Sequence, residues 1–398
     1  AVTVPGVAYL DGYFFVMDAN GTIYNSGLEA PLAWNSLDFI NCEAEPDGGM
    51  AIAKYLNYVV GFGNWTTQFF YDAANETGSP LAVIQSATIQ IGCANGYSVA
   101  QFDGKLVWMG TSHEKGRGVY ALQGSMSPTK VSTPDVDRIL NADSLAKVYS
   151  WGAGFNGHSL YVLTLATTGI SLVYDFTSQV WSHFTRRKAG TAKSVSSLTQ
   201  AAGIATAVCT GHGFADGDEI TIAGATPAGY NLTTNVSYID ANTFSYQVPD
   251  TLAATATGTI TATGSTESYF DLAYYANVGG KDIAQGEADG IIYELLGTAY
   301  QDNGVSIDAS VRTTIYDAGS AKRKFVASAE IVGDKVAASA LLRYSDDDYQ
   351  TNSKYRKVDL SAKRSRLHRL GSMSRRSFEV RHTANTPFRV QALEIEGE

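Results

Sequence analysis

Three stretches of this chain hold residues in spacings that chemistry uses. Gly152, Gly154 and Gly157 form GxGxxG, the spacing with which a strand–turn–helix unit cradles a pyrophosphate. That chemistry needs a helix after the glycines. Here His158–Leu165 follows, an apolar run with Tyr161 and Val162 that reads as a strand, so the glycines read as a turn between strands. Ser345-Asp346-Asp347-Asp348-Tyr349-Gln350-Thr351 sets three carboxylates in a row. A calcium loop wants spaced oxygen ligands and a sharp-turn glycine, and has neither here. This stretch reads as a solvated hairpin tip. The third is Lys363–Arg381, with six Arg and one Lys in 19 residues. Leu367, Leu370, Phe378 and Val380 punctuate it, so it reads as folded strand and turn rather than a flexible cationic tail. Three roles stand open for it: a solvated face, a subunit interface with acidic partners, or a phosphate contact. Arginine suits such interfaces because its planar fork binds carboxylates bidentately. Arg364, Arg366, Arg369, Arg375, Arg376 and Arg381 are the candidate interface residues.

No other constellation carries chemistry. The six histidines show no HxxxH pairing at zinc spacing, and no GxSxG, HExxH or Walker motif occurs. Cys42, Cys93 and Cys209 make no CxxC and read as small buried hydrophobes. The Asn-x-Ser/Thr sites at Asn20, Asn64, Asn75, Asn231 and Asn235 read as polar turn residues. No catalytic, cofactor-binding or metal-ligating residue is therefore nominated. The expectation is a protein that is not an enzyme and uses no cofactor.

The elements that hold these residues repeat. Polar pivots at Asp11, Asn57, Asp103 and Asn156, spaced 46, 46 and 53 residues apart, each precede a short apolar strand. A second strand with an aromatic follows 13 to 18 residues after each pivot, at Ile23-Tyr24, Phe69-Phe70-Tyr71, Val119-Tyr120 and Val173-Tyr174. Ile291–Leu295 is a fifth such strand. Period-two apolar runs between Gly, Asn and Asp turns are strands, and four short strands per repeat is the footprint of a propeller blade. One blade cannot bury both faces, and stacking blades does. Blades are expected near 7–48, 50–95, 97–141, 146–192 and 265–304, with a sixth completed either by terminal strands or by a missing N-terminal segment.

The repeat breaks at 198–264, where the sequence turns to Ala, Thr and Gly. Asp216-Gly217 reads as a hairpin turn before an alternating strand, and Phe244 and Tyr246 share one strand face. The expected organisation is all-β: propeller blades over 1–197, an inserted small β-domain over 198–264, propeller again over 265–304, and a C-terminal β-sandwich-like region over 305–398. Strands there are expected at Val305–Ile315, Phe325–Val332, Ala337–Tyr344, Phe378–His382 and Phe388–Ile395. The insert is expected to stand outward as a separable knob.

Composition agrees with a β-rich globular chain. Of 398 residues, 39 are Gly, 23 are Tyr and only 17% are charged, too few for long surface helices. No run of about 18 apolar residues exists to cross a membrane as a helix. Ala1–Pro5 does not read as a signal peptide, and the lack of an initial Met raises the expectation of a missing or processed start. The net charge of −10 is uneven. Residues 1–300 hold 12 Lys+Arg against 26 Asp+Glu, whereas 301–398 hold 17 against 13. An acidic body argues against wrapping nucleic acid by phosphate neutralisation.

The C-terminal string resembles the podovirus packaged-DNA stabilisation proteins, the tail hub or nozzle family. The residues that carry this are Leu341–Asp347, Arg369-Leu370-Gly371, Arg376–Arg381, Leu393–Glu396, and the pair Val173–Phe176 with Trp181. The insert string around His212–Gly224 is similar to a small β-domain of phage tail proteins. The resemblance implies a β-propeller protomer in a hexameric tail ring of the virion, made in the host cytoplasm. Implied partners are further copies of itself, the portal–adaptor complex, a tail fibre, spike or needle protein, and double-stranded DNA in passage. The ring would retain packaged DNA and let it pass at ejection. The alternative is a carbohydrate-binding or glycoside-hydrolysing propeller of sialidase-like type. Its support is the aromatic content and the Asp346–Asp348 triplet, a degenerate Asp-box without its Gly and Trp.

Overall fold

The computed structural model describes residues 2–42 and 44–397. They form an almost all-β chain with one α-helix. The chain divides into two compact units, the first comprising 1–185 and 268–297 and the second 186–267 and 298–398.

The first unit is a series of antiparallel sheets made by consecutive strands. The first sheet runs through Ala8–Leu10, Tyr13–Met17, Thr22–Gly27 and Ala30–Asn41 in order. The second holds Gly49–Tyr55, Tyr58–Gly63, Thr67–Asp72 and Leu81–Val83. The third is built on Ala100–Phe102, Lys105–Ser112, Gly116–Gln123 and Thr129–Lys130, with Gly92–Cys93 added. The fourth begins Val148–Phe155, His158–Leu165 and Ile170–Asp175, and the fifth has three strands between Leu272 and Glu294. Five sheets therefore appear among the described residues of this unit.

The repeat pivots are tight hairpin turns. Asp11-Gly12, Asp103-Gly104 and Asn156-Gly157 all take positive φ at both residues. This backbone matches strand twist and is tolerated best by Asp, Asn and Gly. In the second sheet the positive φ falls on Leu56, one residue before the expected pivot Asn57. Strands between these turns alternate, so each sheet sends one face to each neighbour. Leu106 and Trp108 pack with Val60, Phe62 and Phe69 of the second sheet. Val107 and Met109, between them in sequence, pack with Tyr161, Leu163 and Leu172 of the fourth. Further cores lie between the first and second sheets, at Phe15, Met17 and Phe70, and between the fourth and fifth, at Trp151 and Tyr275. Burying each such side chain contributes about 1.5–3 kcal/mol.

Sequence reading missed the helix Pro134–Ala142 (α1). Thr133 caps it by accepting from Val136 N, Pro134 opens it, and Asp135 and Asp137 fill its first turn. Val136 and Leu140 are buried in the core between the third and fourth sheets.

The second unit contains two small two-sheet bodies with separate cores. The insert core runs from Val195 to Ala262 around Tyr230, Phe244 and Ile220. Its His212 is structural, since Nδ1 accepts from Phe214 N and Nε2 bonds Asp240 O at 2.8 Å. The C-terminal body pairs Ala309–Arg312, Ser377–His382, Ser339–Ser345 and Arg356–Asp359 in one sheet, in that order. Lys324–Gly333 centres the other, flanked by Ser365–His368, Ser372–Met373 and Val390–Gly397. Ala329 and Ile331 of one sheet meet Leu342, Phe378 and Val380 of the other.

Two local expectations need correction. Asp216-Gly217 does not join two strands of a hairpin. It is a bend leading into Glu219–Ala223, closed by Asp218 N to Ala215 O. Nor does the insert stand free within its unit. Asp216 accepts from Tyr355 N at 3.0 Å, Lys354 Nζ donates to Tyr238 O at 2.9 Å, and Arg381 reaches Asp218 at 3.0 Å. The seam between the two bodies holds polar groups because each has already buried its apolar residues in its own core.

Candidate functional site: the arginine-rich face of the C-terminal body

The arginine-rich stretch folds as three short strands, Ser365–His368, Ser372–Met373 and Ser377–His382. Alternation along them sends some arginines inward and others out, so the six candidates do not share one surface.

Arg376 is the most enclosed, at 1% exposure. It binds Asp346 bidentately through Nε and Nη2 at 2.6 and 2.7 Å, donates from Nη1 to Leu370 O at 2.7 Å, and lies 3.7 Å from the Tyr344 ring centroid. Arg381 is also buried and joins Asp308, at 2.8 Å, to Asp218 of the insert. The same Asp308 receives Arg187 at 2.8 Å. Arg381 is held even more firmly protonated than usual, because the two aspartates outweigh the cost of burying it. Both arginines are consumed inside the chain and are withdrawn as interface candidates.

Arg366 bridges Glu330 at 2.6 Å and Glu396 at 3.1 Å and is half-buried. Arg375 pairs with Asp348 while over half exposed. Arg364 lies 3.8 Å from Glu330 and is largely exposed. Arg369 is exposed, at φ +60°, and makes no ion pair among the described residues. Arg364, Arg369 and Arg375 thus remain as outward cations, with Lys357 and Lys363 nearby in sequence.

The aspartate triplet and the arginine run, read separately in the sequence, are partners. Asp346 takes Arg376, and Asp348 takes Arg375. Asp347 accepts from Thr351 N at 2.9 Å, the Thr351 hydroxyl and Ser345 Oγ at 2.8 Å. Those bonds hold its carboxyl down at about 2. The tip, which joins the paired strands Ser339–Ser345 and Arg356–Asp359, is exposed as expected, and is ion-paired and hydrogen-bonded as well. Each of the three carboxylates has a partner within the C-terminal body.

Sequence reading missed the acidic centre of this body, Glu379. It is buried and receives Arg343 at 2.9 and 3.0 Å, Arg312 Nε at 2.8 Å and the Tyr355 hydroxyl. Burial pushes its pKa up, but the bonds from Tyr355, Arg312 and Arg343 prevail and hold the carboxyl below its ordinary range. Nothing in the local string announces this centre, because its partners come from three other strands or loops.

The remaining motifs resolve as structure. Gly152 lets the Phe102 ring lie where a Cβ would stand, 1.8 Å from its nearest atom. Gly157 completes the positive-φ turn between Val148–Phe155 and His158–Leu165. His158 Nδ1 and Ser178 Oγ both bond Asp175 Oδ2, at 2.8 and 2.6 Å. A nucleophile needs the histidine between serine and aspartate, and this arrangement lacks it. No group of three or more metal-ligating side chains occurs among the described residues.

Comparison with known proteins gives one family match, over residues 2–196, to the family described as Bacteriophage P22 Gp10, beta-propeller. The match covers the first three sheets and the fourth through Val180–Ala189, and ends just inside the insert. No curated protein matches. Similar solved structures include the dihydro-heme d1 dehydrogenase NirN, at 10% identity and TM-score 0.30, covering 74% of this chain and 56% of that one. The exo-beta-1,3-galactanase Pc1,3Gal43A of Phanerochaete chrysosporium is 7% identical, with TM-score 0.30, covering 100% and 96%. The Nup133 beta-propeller domain of Vanderwaltozyma polyspora is 6% identical, with TM-score 0.27, covering 74% and 81%. The chain thus spans little more than half the length of the NirN chain.

Proposed function

Because residues 2–196 belong to the phage structural family of the P22 Gp10 beta-propeller, we propose that the chain is a virion subunit of the tail hub of a short-tailed phage. In this reading copies of the chain form a ring that continues the DNA channel below portal and adaptor. The ring retains packaged DNA and lets it pass at ejection. A fibre, spike or needle protein would attach at its outer end.

One observation of the molecule carries this reading. The first unit holds 20 Asp or Glu against 8 Lys or Arg, a net −12, while the second holds 19 against 21, a net +2. Fixed negative charge repels phosphates, so DNA slides past such a unit without adhering. The outward cations Arg364, Arg369 and Arg375 then register neighbouring copies rather than hold DNA. Exposed pairs of this kind contribute only about 0.2–1 kcal/mol each, so they set orientation more than affinity.

The test is DNA retention by particles assembled with and without the chain. Particles lacking it should leak nuclease-sensitive DNA, and adding purified protein should stop the leak. Equal retention with and without it would overturn the hub assignment. Purified protein should also leave duplex DNA unbound at physiological salt.

A further inference from the structure

The two bodies of the second unit meet along a polar seam, and beside that seam they leave a cleft of about 420 Å³, within the range of small-molecule sites. One wall is a sheet of the insert, which pairs Ser197–Ala201, Ile204–Val208, Thr243–Gln247 and Ser237–Asp240 in that order. Phe244 and Tyr246 turn into the insert core, so Ser245 and Gln247 turn outward. Ser245 stands directly opposite Ser237 on the neighbouring strand. The other wall belongs to the C-terminal body and carries Arg356 and Lys357. Ile204, Leu341 and Leu367 add apolar surface.

The walls are fixed and their polar groups are unspent. Tyr355 N donates to Asp216, and the Tyr355 ring lies so close to Gly217 that a Cβ there would stand 2.5 Å from it. Arg356 is aimed by donating to His368 O at 2.8 Å and Arg369 O at 3.2 Å, which leaves three of its five N–H donors. Ser237, Ser245, Gln247 and Lys357 make no side-chain hydrogen bond or ion pair among the described residues. Arg356 and Lys357 are the only charged residues of the described lining, in a chain of net charge −10. Cations without a carboxylate beside them select an anion, and hydroxyl and amide groups that both donate and accept suit a ligand rich in hydroxyls.

We propose that this cleft binds a saccharide unit bearing one anionic group, a uronate carboxylate or a phosphate ester. The acid group lies at Arg356 and Lys357, and the sugar hydroxyls meet Ser237, Ser245 and Gln247 on the facing wall. The apolar side chains take the C–H surface of the ring. A nucleotide base fits less well, because the one aromatic ring at hand is taken: Tyr355 lies against Gly217 and 4.4 Å from the Arg343 guanidinium. Duplex DNA is held by cations spread along its phosphates, and two cations at one end of a concave site do not make such a track. The inference stands apart from the hub reading, since it concerns a small-molecule site within the second unit.

The test is isothermal titration calorimetry on the full chain with glucuronate and glucose 6-phosphate, set against glucose, inorganic phosphate and a short DNA duplex. Binding of either acid at about 10 mM or below supports the site, and the tighter one names its anion. Glucose should bind at least about tenfold more weakly, and added salt should weaken the acids. Lys357→Glu should weaken both acids and inorganic phosphate about tenfold or more. Ser245→Ala should weaken the two acids about fivefold and leave inorganic phosphate unchanged. Lys363→Glu, an exposed cation outside the lining, should bind as wild type does. None of the three side chains is bonded within the described chain, so unchanged melting confirms that folding is intact. Neither acid binding at about 10 mM would overturn the inference, as would glucose binding as tightly as the acids. Lys357→Glu or Ser245→Ala binding the acids like wild type would overturn it too. Duplex DNA that displaces bound glucuronate would overturn it in favour of a nucleic-acid contact. Calorimetry reads this cleft and DNA leakage reads the hub, so either reading can fail alone.

Discussion

The two units of this chain join their parts in different ways. Between the sheets of the first, cores are apolar and made by neighbours in sequence: Trp108 against Phe62 and Tyr120, Met109 against Leu163. In the second, apolar cores are confined to each small body, and what joins strands and bodies is ionic: Arg376 on Asp346, Glu379 among Arg312 and Arg343, Arg381 between Asp308 and Asp218. A stack of repeated sheets meets itself mainly on apolar faces, with single hydrogen bonds such as Trp151 Nε1 to Leu272 O and Tyr161 OH to Ser98 O between them. A module inserted into another body meets a surface that was not its own repeat. There, orientation comes from forked arginines, which accept only one geometry.

The sharpest way to test that contrast is to damage each kind of joint. Trp108→Ala removes a fully buried ring and its 3.0 Å bond to Gly92 O, and should destabilise the first unit by about 3–5 kcal/mol in chemical denaturation, with little salt dependence. Arg376→Leu should cost somewhat less, about 2–4 kcal/mol, since Asp346 is 41% exposed and regains water when its partner goes. Its loss should report on the C-terminal body while the first unit melts as before. Arg381→Met should leave both cores folded and loosen the seam, read as faster hydrogen exchange at residues 216–219 and 354–355. Equal protection in that variant would mean the seam does not depend on its ions.

Acid should separate the units further. Glu379 and Asp347 titrate below their ordinary ranges, so their stabilisation is complete above the unfolded carboxylate values, about pH 4 to 4.5. It is lost as pH falls through the folded values, down to about 2 for Asp347. Burial lowers His382, whose neutral form therefore favours folding above the unfolded value of about 6.5 and less so below it. All three act in the same direction, but Asp103, Asp175 and Asp282 of the first unit are held down as well, so both units should weaken below about pH 4 and only His382 should make the second weaken earlier, as pH falls below about 6.5. Melts followed by a probe in each unit check this, and parallel acid sensitivity above about pH 4 would erase the contrast. The smallest effect is expected at Thr133→Ala, about 1 kcal/mol from the lost helix cap.

What the sequence shows and hides follows the same division. Pivots such as Asp103-Gly104 are legible because positive φ at two successive residues restricts composition, and the alternation at Leu106–Met109 is legible because both faces are buried. The family match over residues 2–196 falls on that repetitive part. Helix α1 had a readable start in Thr133-Pro134-Asp135, but one short helix inside a strand repeat breaks no period. The ion pairs were not legible. Asp346 and Arg376 lie thirty residues apart in strands whose pairing no local rule fixes, and six similar arginines give no hint that two are buried. Charge type is visible in a string, whereas its partner is decided only by tertiary register.

Trp151 carries a consequence for how the chain is made. Its ring stacks on Tyr275 at 5.3 Å and its Nε1 donates to Leu272 O at 2.8 Å, so its cover comes from the fifth sheet. Between the fourth and fifth sheets the ribosome must first produce residues 186–267. At ~5–20 residues per second that takes ~4–16 seconds. Throughout that interval one apolar face of the nascent propeller waits uncovered while an unrelated module folds ahead of its missing neighbour. The insertion thus sets a timetable for synthesis, in which one identifiable face stays uncovered for one calculable span.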